Sequence, residues 1–195
     1  MMSKKIVLIQ GHPDPDARHF CHALADAYGD GATAAGHELR RIEVAQLDFP
    51  LLRSQAQWLE AAPPPALGEA QATIRWADHI VIVFPLWLGT APALLKGFLE
   101  QVFRPGFAFV TDGGRFPRKG LAGKSARVVV TMGMPAFWYR SFFRAHGVRG
   151  LEQGILGFCG VRPVRESFFG LVETRDAKAR DKWLQKLAEL GRQAL

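Results

Sequence analysis

Three stretches of the chain are nearly free of polar residues and too short to be membrane spans. Residues 4–10 (KKIVLIQ), 79–84 (HIVIVF) and 125–131 (SARVVVT) are continuous apolar runs, the first two closed by Gly11 and Pro85. Such runs predict strands buried on both faces. Residues 38–44 (ELRRIEV) alternate and predict a strand with one wet face, and 162–172 (RPVRESFFGLV) predict a fifth strand. Between them the apolar positions return at helical spacing. Cys21, Leu24, Ala25, Tyr28, Ala32 and Ala35 mark a helix over about 18–35, weakened by Gly29 and Gly31 and stopped by Gly36. Further helices are expected over about 67–77, 91–102, 141–158 (interrupted by Gly147 and Gly150) and 174–195. The segments 45–66, 103–124 and 132–140 read as loops.

Strands that alternate with helices and carry apolar residues on both faces imply a parallel sheet covered on both sides. The expected fold is therefore α/β: a flavodoxin-like, doubly wound, five-stranded parallel sheet with helices on both faces, forming one domain over residues 1–195. Ligands of such sheets sit beyond the carboxyl ends of the strands. The loops 11–19, 85–90 and 132–139 leave those ends and must build any site.

Composition narrows the function. With 195 residues, 48% of them hydrophobic, the chain can bury a core without disulfides. Cys21 and Cys159 form neither a CxxC pair nor a zinc spacing, which fits a reduced, cytoplasmic protein. The apolar run Ile6–Ile9 is too short for a signal core or a span, so no membrane insertion is expected. The formal charge of +7 suits either nucleic acid or anionic small molecules. The bases are scattered, without a dense block or a helix-turn-helix spacing, and no nucleic-acid partner is expected. Arg115, Arg118, Lys119 and Lys124 read as a solvated loop, with contact to dinucleotide phosphates as the alternative. GxGxxG and GxxxxGK[ST] are both absent, which excludes a Rossmann dinucleotide turn and a P-loop. His12, His19 and His22 show no consistent ligand geometry, so no metal is expected, and Asp14 and Asp16 read as turn residues.

Each of the three loops suits one part of a flat, phosphorylated ligand, though each also reads as an ordinary turn. The first leads into a helix N-terminus, which offers unpaired N–H groups and a positive dipole end, with His12, Arg18 and His19 beside it. In the second, Pro85 ends the strand and Gly89 permits a close backbone approach, while Trp87 and Leu88 can cover a ring face. The third offers Thr131 and Gly133 to the other polar edge, with Trp138 and Tyr139 as walls. The two thiols read as buried and structural, although Cys21 stands at a helix start, where a thiol pKa can fall.

These residues carry a resemblance. FPLWLGTAPALLKGFLEQVF (84–103), RPGFAF (104–109), GILGFCGVRPV (154–164) and GHPDP (11–15) resemble segments of the flavodoxin-fold NAD(P)H:quinone oxidoreductases, the family of DT-diaphorase, the modulators of drug activity and the potassium-efflux ancillary flavoproteins. The resemblance runs over about residues 4–173. It implies a bound FMN, with FAD as the alternative, NAD(P)H as reductant, quinone-like acceptors and a homodimer. By position it implies that His12, Arg18, His19, Phe20 and Cys21 hold the flavin phosphate, that Pro85, Leu86, Trp87, Leu88 and Gly89 lie along the ring, and that Thr131, Met132 and Gly133 meet its far edge. It suggests Tyr139 and His146 as catalytic groups. Where the family reads Ser-Phe-Asn at the first helix, this chain has His19-Phe20-Cys21, in a loop about two residues longer.

The expected chemistry is ping-pong hydride transfer. The N–H groups of Trp87–Gly89 steady negative charge on the ring, and Tyr139 donates to the acceptor oxygen. The aromatic segments ESFFGLV (166–172) and FWYRSFF (137–143) are the expected dimer face. Two other readings stand beside this one: an ancillary flavoprotein that binds a glutathione-gated potassium efflux transporter, and a flavin-free binding domain.

Overall fold

In the computed structural model, residues 2–59, 62–110 and 117–195 are described. Five parallel strands form the sheet: β1 (Lys5–Gln10), β2 (Glu38–Glu43), β3 (His79–Pro85), β6 (Ser125–Met132) and β7 (Val164–Gly170), in the order β2-β1-β3-β6-β7. A separate antiparallel pair joins β4 (Phe109–Val110) to β5 (Arg118–Lys119), inside what the sequence presents as loop. Helices α1 (Phe20–Ala34), α3 (Pro65–Trp76), α4 (Ala93–Val102) and α7 (Ala177–Arg192) cover the sheet.

The period of two in each central strand builds two cores at once. Ile6, Leu8, Val81, Val83 and Val129 join Leu24, Tyr28 and Leu187 from α1 and α7. Val7, Ile9, Ile80, Ile82, Phe84, Val128 and Val130 join Ile74, Leu95, Phe98 and Leu99 from α3 and α4. This is the physical content of the uninterrupted apolar runs: every position has an apolar layer to enter. The strand order reverses at β1 and β3, which opens a crevice above their carboxyl ends.

Of the two glycines that weaken α1 on paper, Gly29 would bring a Cβ to 3.0 Å from the Leu39 side chain, while Gly31 faces backbone. A Cβ on Gly31 would stand 2.0 Å from the carbonyl oxygen of Ala188, and one on Gly191 would stand 2.1 Å from that of Tyr28. Backbone therefore meets backbone where α1 and α7 cross. Gly36, with φ +81, ends α1 as its sequence position suggests.

Other expectations need correction. A short helix, α2 (Gln55–Leu59), interrupts the loop before α3. Residues 132–140 are not all loop: α5 (Ala136–Ser141) starts after Pro135. The helix expected over 141–158 is broken by Arg144 and Ala145, both at positive φ, and consists of α6 (His146–Arg149) running into a π-helical segment, Gly150–Gly157. Lys124 bonds the carbonyls of Arg75 (2.8 Å) and Ala77 at the end of α3, so its cation serves as a cap. Arg115 lies outside the described residues.

Candidate functional site

The crevice holds a cavity of about 540 Å³. From the first loop and the start of α1 it is lined by His12, Asp14, Arg18, His19, Phe20 and Cys21. Pro85, Leu86 and Trp87 come from the end of β3, and Thr131, Met132 and Gly133 from the end of β6. Val172 and Glu173 close it from the connection to α7, and Arg180 from the first turn of α7 itself. Segments far apart in the chain meet here because their strands are neighbours. Pro85 pairs with Thr131, and the Leu86 N–H donates to the Thr131 carbonyl at 2.7 Å.

One end of the cavity is a helix terminus. His19 is the N-cap of α1 and makes no side-chain cap bond. The first N–H groups of the helix, those of Phe20 and Cys21, have no intrahelical acceptor. Arg180 adds a cation. One guanidinium nitrogen donates to the Val172 carbonyl at 2.7 Å, but its Nε is buried without a partner. Phe20 lies under the same guanidinium, at 5.7 Å. The sequence reading missed Arg180 and Glu173. Only the docking of α7 against α1 brings them to the cavity.

The loop before α1 is tied to itself. Arg18 pairs with Asp16 at 2.5 Å and His19 with Asp14 at 2.9 Å. These contacts hold both carboxyls below the usual carboxylate range: the bond from His19 is the main cause for Asp14, and that from Arg18 for Asp16. The Arg18 side chain is 90% exposed. It stands at the rim of the cavity.

The other end is a small hairpin of its own. Trp87 and Thr90 exchange both backbone hydrogen bonds, each 3.0 Å. Leu88 (φ 47) and Gly89 (φ 80) form the left-handed corner between them. The Trp87 N–H is thus consumed inside the turn, and the N–H groups left over are those of Leu88 and Gly89. Neither of these two residues lines the cavity, and Leu88 is fully exposed.

Tyr139 and His146 lie elsewhere. Tyr139 is on α5, 1% exposed, and its hydroxyl donates to the Gly89 carbonyl at 2.9 Å. It does not face the cavity; it holds the turn from behind. Burial raises its pKa, against smaller opposing contributions from the Val148 and Gly147 backbone. His146 is exposed and lines a separate recess of about 330 Å³ with Thr90, Ala91 and Lys96, and it does not line the cavity. Gly147, which reads in sequence as a mere helix interruption, is the close contact. A Cβ there would stand 2.2 Å from the Gly89 oxygen.

Both thiols are buried, and burial pushes each up to about 12. For Cys21 this outweighs the expected helix-start effect, and its Sγ lies 3.4 Å from the Thr131 hydroxyl. A larger groove of about 710 Å³ runs between α4 and the π-helical segment, lined by Trp58, Phe103, Phe109, Ile155 and Phe158 among others. It is greasy and away from the strand ends. The smaller cavity has the helix terminus, the charges and the topological position, and is the better candidate. No helix among the described residues is long and apolar enough to cross a membrane.

Comparison with known proteins places this geometry. An uncharacterized NAD(P)H oxidoreductase of Haemophilus influenzae is 27% identical over 187 residues, covering 94% of this chain and 92% of its own. A ribosyldihydronicotinamide dehydrogenase-like protein, traD, of Penicillium crustosum is 29% identical over 78% of this chain, which spans 64% of that relative's length. The glutathione-regulated potassium-efflux ancillary protein KefG of Cronobacter sakazakii is 40% identical over 74 residues, 38% of each chain. Among solved structures, the NAD(P)H:quinone oxidoreductase of Methanothermobacter marburgensis superposes with a TM-score of 0.81 at 24% identity, over 98% of this chain and 96% of its own. An FMN-dependent NADH-azoreductase of Bacillus anthracis in complex with FMN gives 0.75 at 16% identity, over 98% of each chain. The profile of one family, described as having a flavodoxin-like fold, matches residues 4–190. The chain belongs to that flavodoxin-like fold family.

Proposed function

We propose that the chain is an NAD(P)H-dependent flavin oxidoreductase that reduces quinones or similar flat electrophiles. The observation that carries this reading is the cavity above β1, β3 and β6. There a helix terminus with an uncapped first turn and an unpartnered Arg180 Nε share one cavity with Pro85, Leu86 and Trp87, the strand end from which a preformed glycine turn leaves. The family resemblance and the names of the relatives support it.

The residues present fit a flavin mononucleotide. The phosphate would be held by the N–H groups of Phe20 and Cys21, with His12, His19, Arg18 and Arg180 supplying charge. The ring would extend along Pro85, Leu86 and Trp87 toward Thr131, Met132 and Gly133. When bound, the flavin supplies two-electron transfer from NAD(P)H to an acceptor taken in turn at the same place. The chain orients the ring and shields it from water. The N–H groups of Leu88 and Gly89, which the turn leaves unused, would be free to meet negative charge on the ring's edge. Tyr139 acts in this reading as a positioning residue through Gly89, and His146 lines the recess beside Thr90 rather than the cavity.

A homodimer belongs to the same proposal. Phe137, Trp138, Phe142 and Phe143 are 44–69% exposed, an aromatic face that water does not favour. Of the other expected face, Phe169 is buried and Phe168 packs edge-on to Tyr139, so 137–143 is the stronger candidate. A transporter-ancillary role is the second reading, favoured by the KefG segment alone.

The deciding experiment is direct. The purified chain is expected to carry the visible absorption of an oxidised flavin, to bleach anaerobically on addition of NADH or NADPH, and to recover on addition of a benzoquinone. A chain that binds no flavin when FMN or FAD is supplied overturns the reading. A chain that binds flavin but recovers with no quinone moves the weight to the transporter role, which co-purification with a membrane transporter then tests.

A further inference from the structure

Three imidazoles crowd the entry to α1. His12 and His19 stack with ring centres 4.1 Å apart and 21° between planes. His22 lies 5.5 Å from His12 and 6.4 Å from His19. The permanent charges around them do not favour an anion. The loop supplies Asp14, Asp16 and Arg18, the connection to α7 supplies Glu173, the first turn of α7 supplies Arg180, and the residues from the ends of β3 and β6 carry no charge. Two guanidinium groups thus face three carboxylates. Arg18 and His19 are already engaged, with Asp16 and Asp14 respectively. With the imidazoles neutral, the side chains at this end carry one net negative charge, which opposes the pull of the helix N-terminus on a phosphate dianion. With two or three of them protonated, its sign reverses.

His12 is placed to take up a proton without moving. Its Nδ1 lies 3.1 Å from the Asp14 N–H and 3.0 Å from the Asp14 carbonyl oxygen. The neutral ring accepts from the first, and the protonated ring donates to the second. His22 reaches the same carbonyl through Nε2 at 3.1 Å, so the two rings share one backbone anchor. Burial, and then the neighbouring His19, hold the His12 imidazole below its ordinary range, which favours its neutral form in the absence of an anion.

We propose that this site takes up a flavin phosphate together with at least one proton from solvent, carried by the cluster His12, His19 and His22. Affinity for the phosphorylated flavin therefore depends on pH, while affinity for the bare ring does not. The inference rests on the flavin reading above and adds His22 and the proton to it.

The test uses the full chain depleted of flavin, titrated with FMN and separately with riboflavin, which lacks the phosphate. Ring fluorescence is followed at fixed ionic strength from about pH 6.5 to about pH 8.5, above the second ionisation of a phosphate monoester. For each proton taken up, the FMN dissociation constant rises about tenfold per pH unit within this window, and that of riboflavin stays within about twofold. Mixing FMN with the chain in dilute buffer near neutrality raises the pH; riboflavin does not. In a chain carrying His12→Gln, His19→Gln and His22→Gln the pH slope for FMN disappears. The inference falls if the FMN constant is flat with pH while both flavins bind, if both flavins show the same slope, or if the triple variant keeps the wild-type slope. If neither flavin binds at any pH, the flavin reading itself fails and takes the inference with it.

Discussion

The hydroxyl of Tyr139 donates to the carbonyl of Gly89 at 2.9 Å, and that same carbonyl has no room for a side chain at Gly147. One oxygen thus registers three segments: the turn after β3, helix α5 and the start of α6. The shape of the proposed ring site is set from outside the cavity.

Removing the hydroxyl should act through position. Tyr139→Phe leaves the Gly89 carbonyl without its partner and should cost about 1–3 kcal/mol in urea unfolding. The flavin should bind more weakly, and the reductive and oxidative half-reactions should slow by similar factors in rapid mixing. A loss of about 10²-fold or more confined to the oxidative half-reaction would instead mark a hydroxyl that reaches the acceptor.

Gly147→Ala should be worse than its size suggests. The added Cβ would stand 2.2 Å from the Gly89 oxygen and 2.7 Å from Thr90 Cα, both backbone atoms that cannot swing aside. We expect a loss of about 1–3 kcal/mol from overpacking and a marked fall in flavin content after dialysis. Retention of wild-type stability and flavin would show that α6 can retreat freely.

At Gly89 the outcome is different. Its φ is +80, yet a Cβ there meets nothing within 4 Å. Gly89→Ala in the flavin-free chain should therefore cost only the left-handed backbone penalty, about 1–2 kcal/mol. If flavin affinity falls by more than this stability loss, the extra comes from crowding of the bound ring. Comparison of unfolding with and without FMN separates the two.

A pH effect on stability is expected from His79. It is fully buried in β3, with Nδ1 2.7 Å from the Ser125 hydroxyl and Nε2 unpartnered. Burial pushes its pKa down to about 3. In the unfolded chain histidine titrates near 6.5. Below that value the unfolded state binds a proton the folded state refuses. The stabilisation is full above about pH 6.5 and is lost as pH falls toward about 3, at up to roughly 1.4 kcal/mol per pH unit. Denaturant midpoints measured across this range should show the slope, and His79→Gln should flatten it.

The central strands were legible because their apolar runs leave only one kind of place to be. Ile6–Ile9 and Ile80–Phe84 admit no wet face, and the loops that follow them must therefore meet at one edge. What one dimension hides is close approach. Gly31 and Gly147 look like helix defects until the neighbouring backbone is seen against them. Arg180 looks like one base among many until α7 lies on α1 and carries it to the cavity. Tyr139 reads as part of a loop because Pro135 hides a helix start; in α5 its ring is buried and does not line the cavity.

The hairpin Trp87–Thr90 closes on itself through two hydrogen bonds and needs no ligand to do so. A ledge of this kind is already ordered when a ring arrives, so little conformational entropy is lost there on docking. Loss of the ring should then leave the ledge standing, in contrast to the self-paired loop 12–19, whose Arg18–Asp16 and His19–Asp14 contacts an incoming anion must compete with. Departure and return of the cofactor would thus be governed at the anionic end, with the aromatic end serving as a fixed mould.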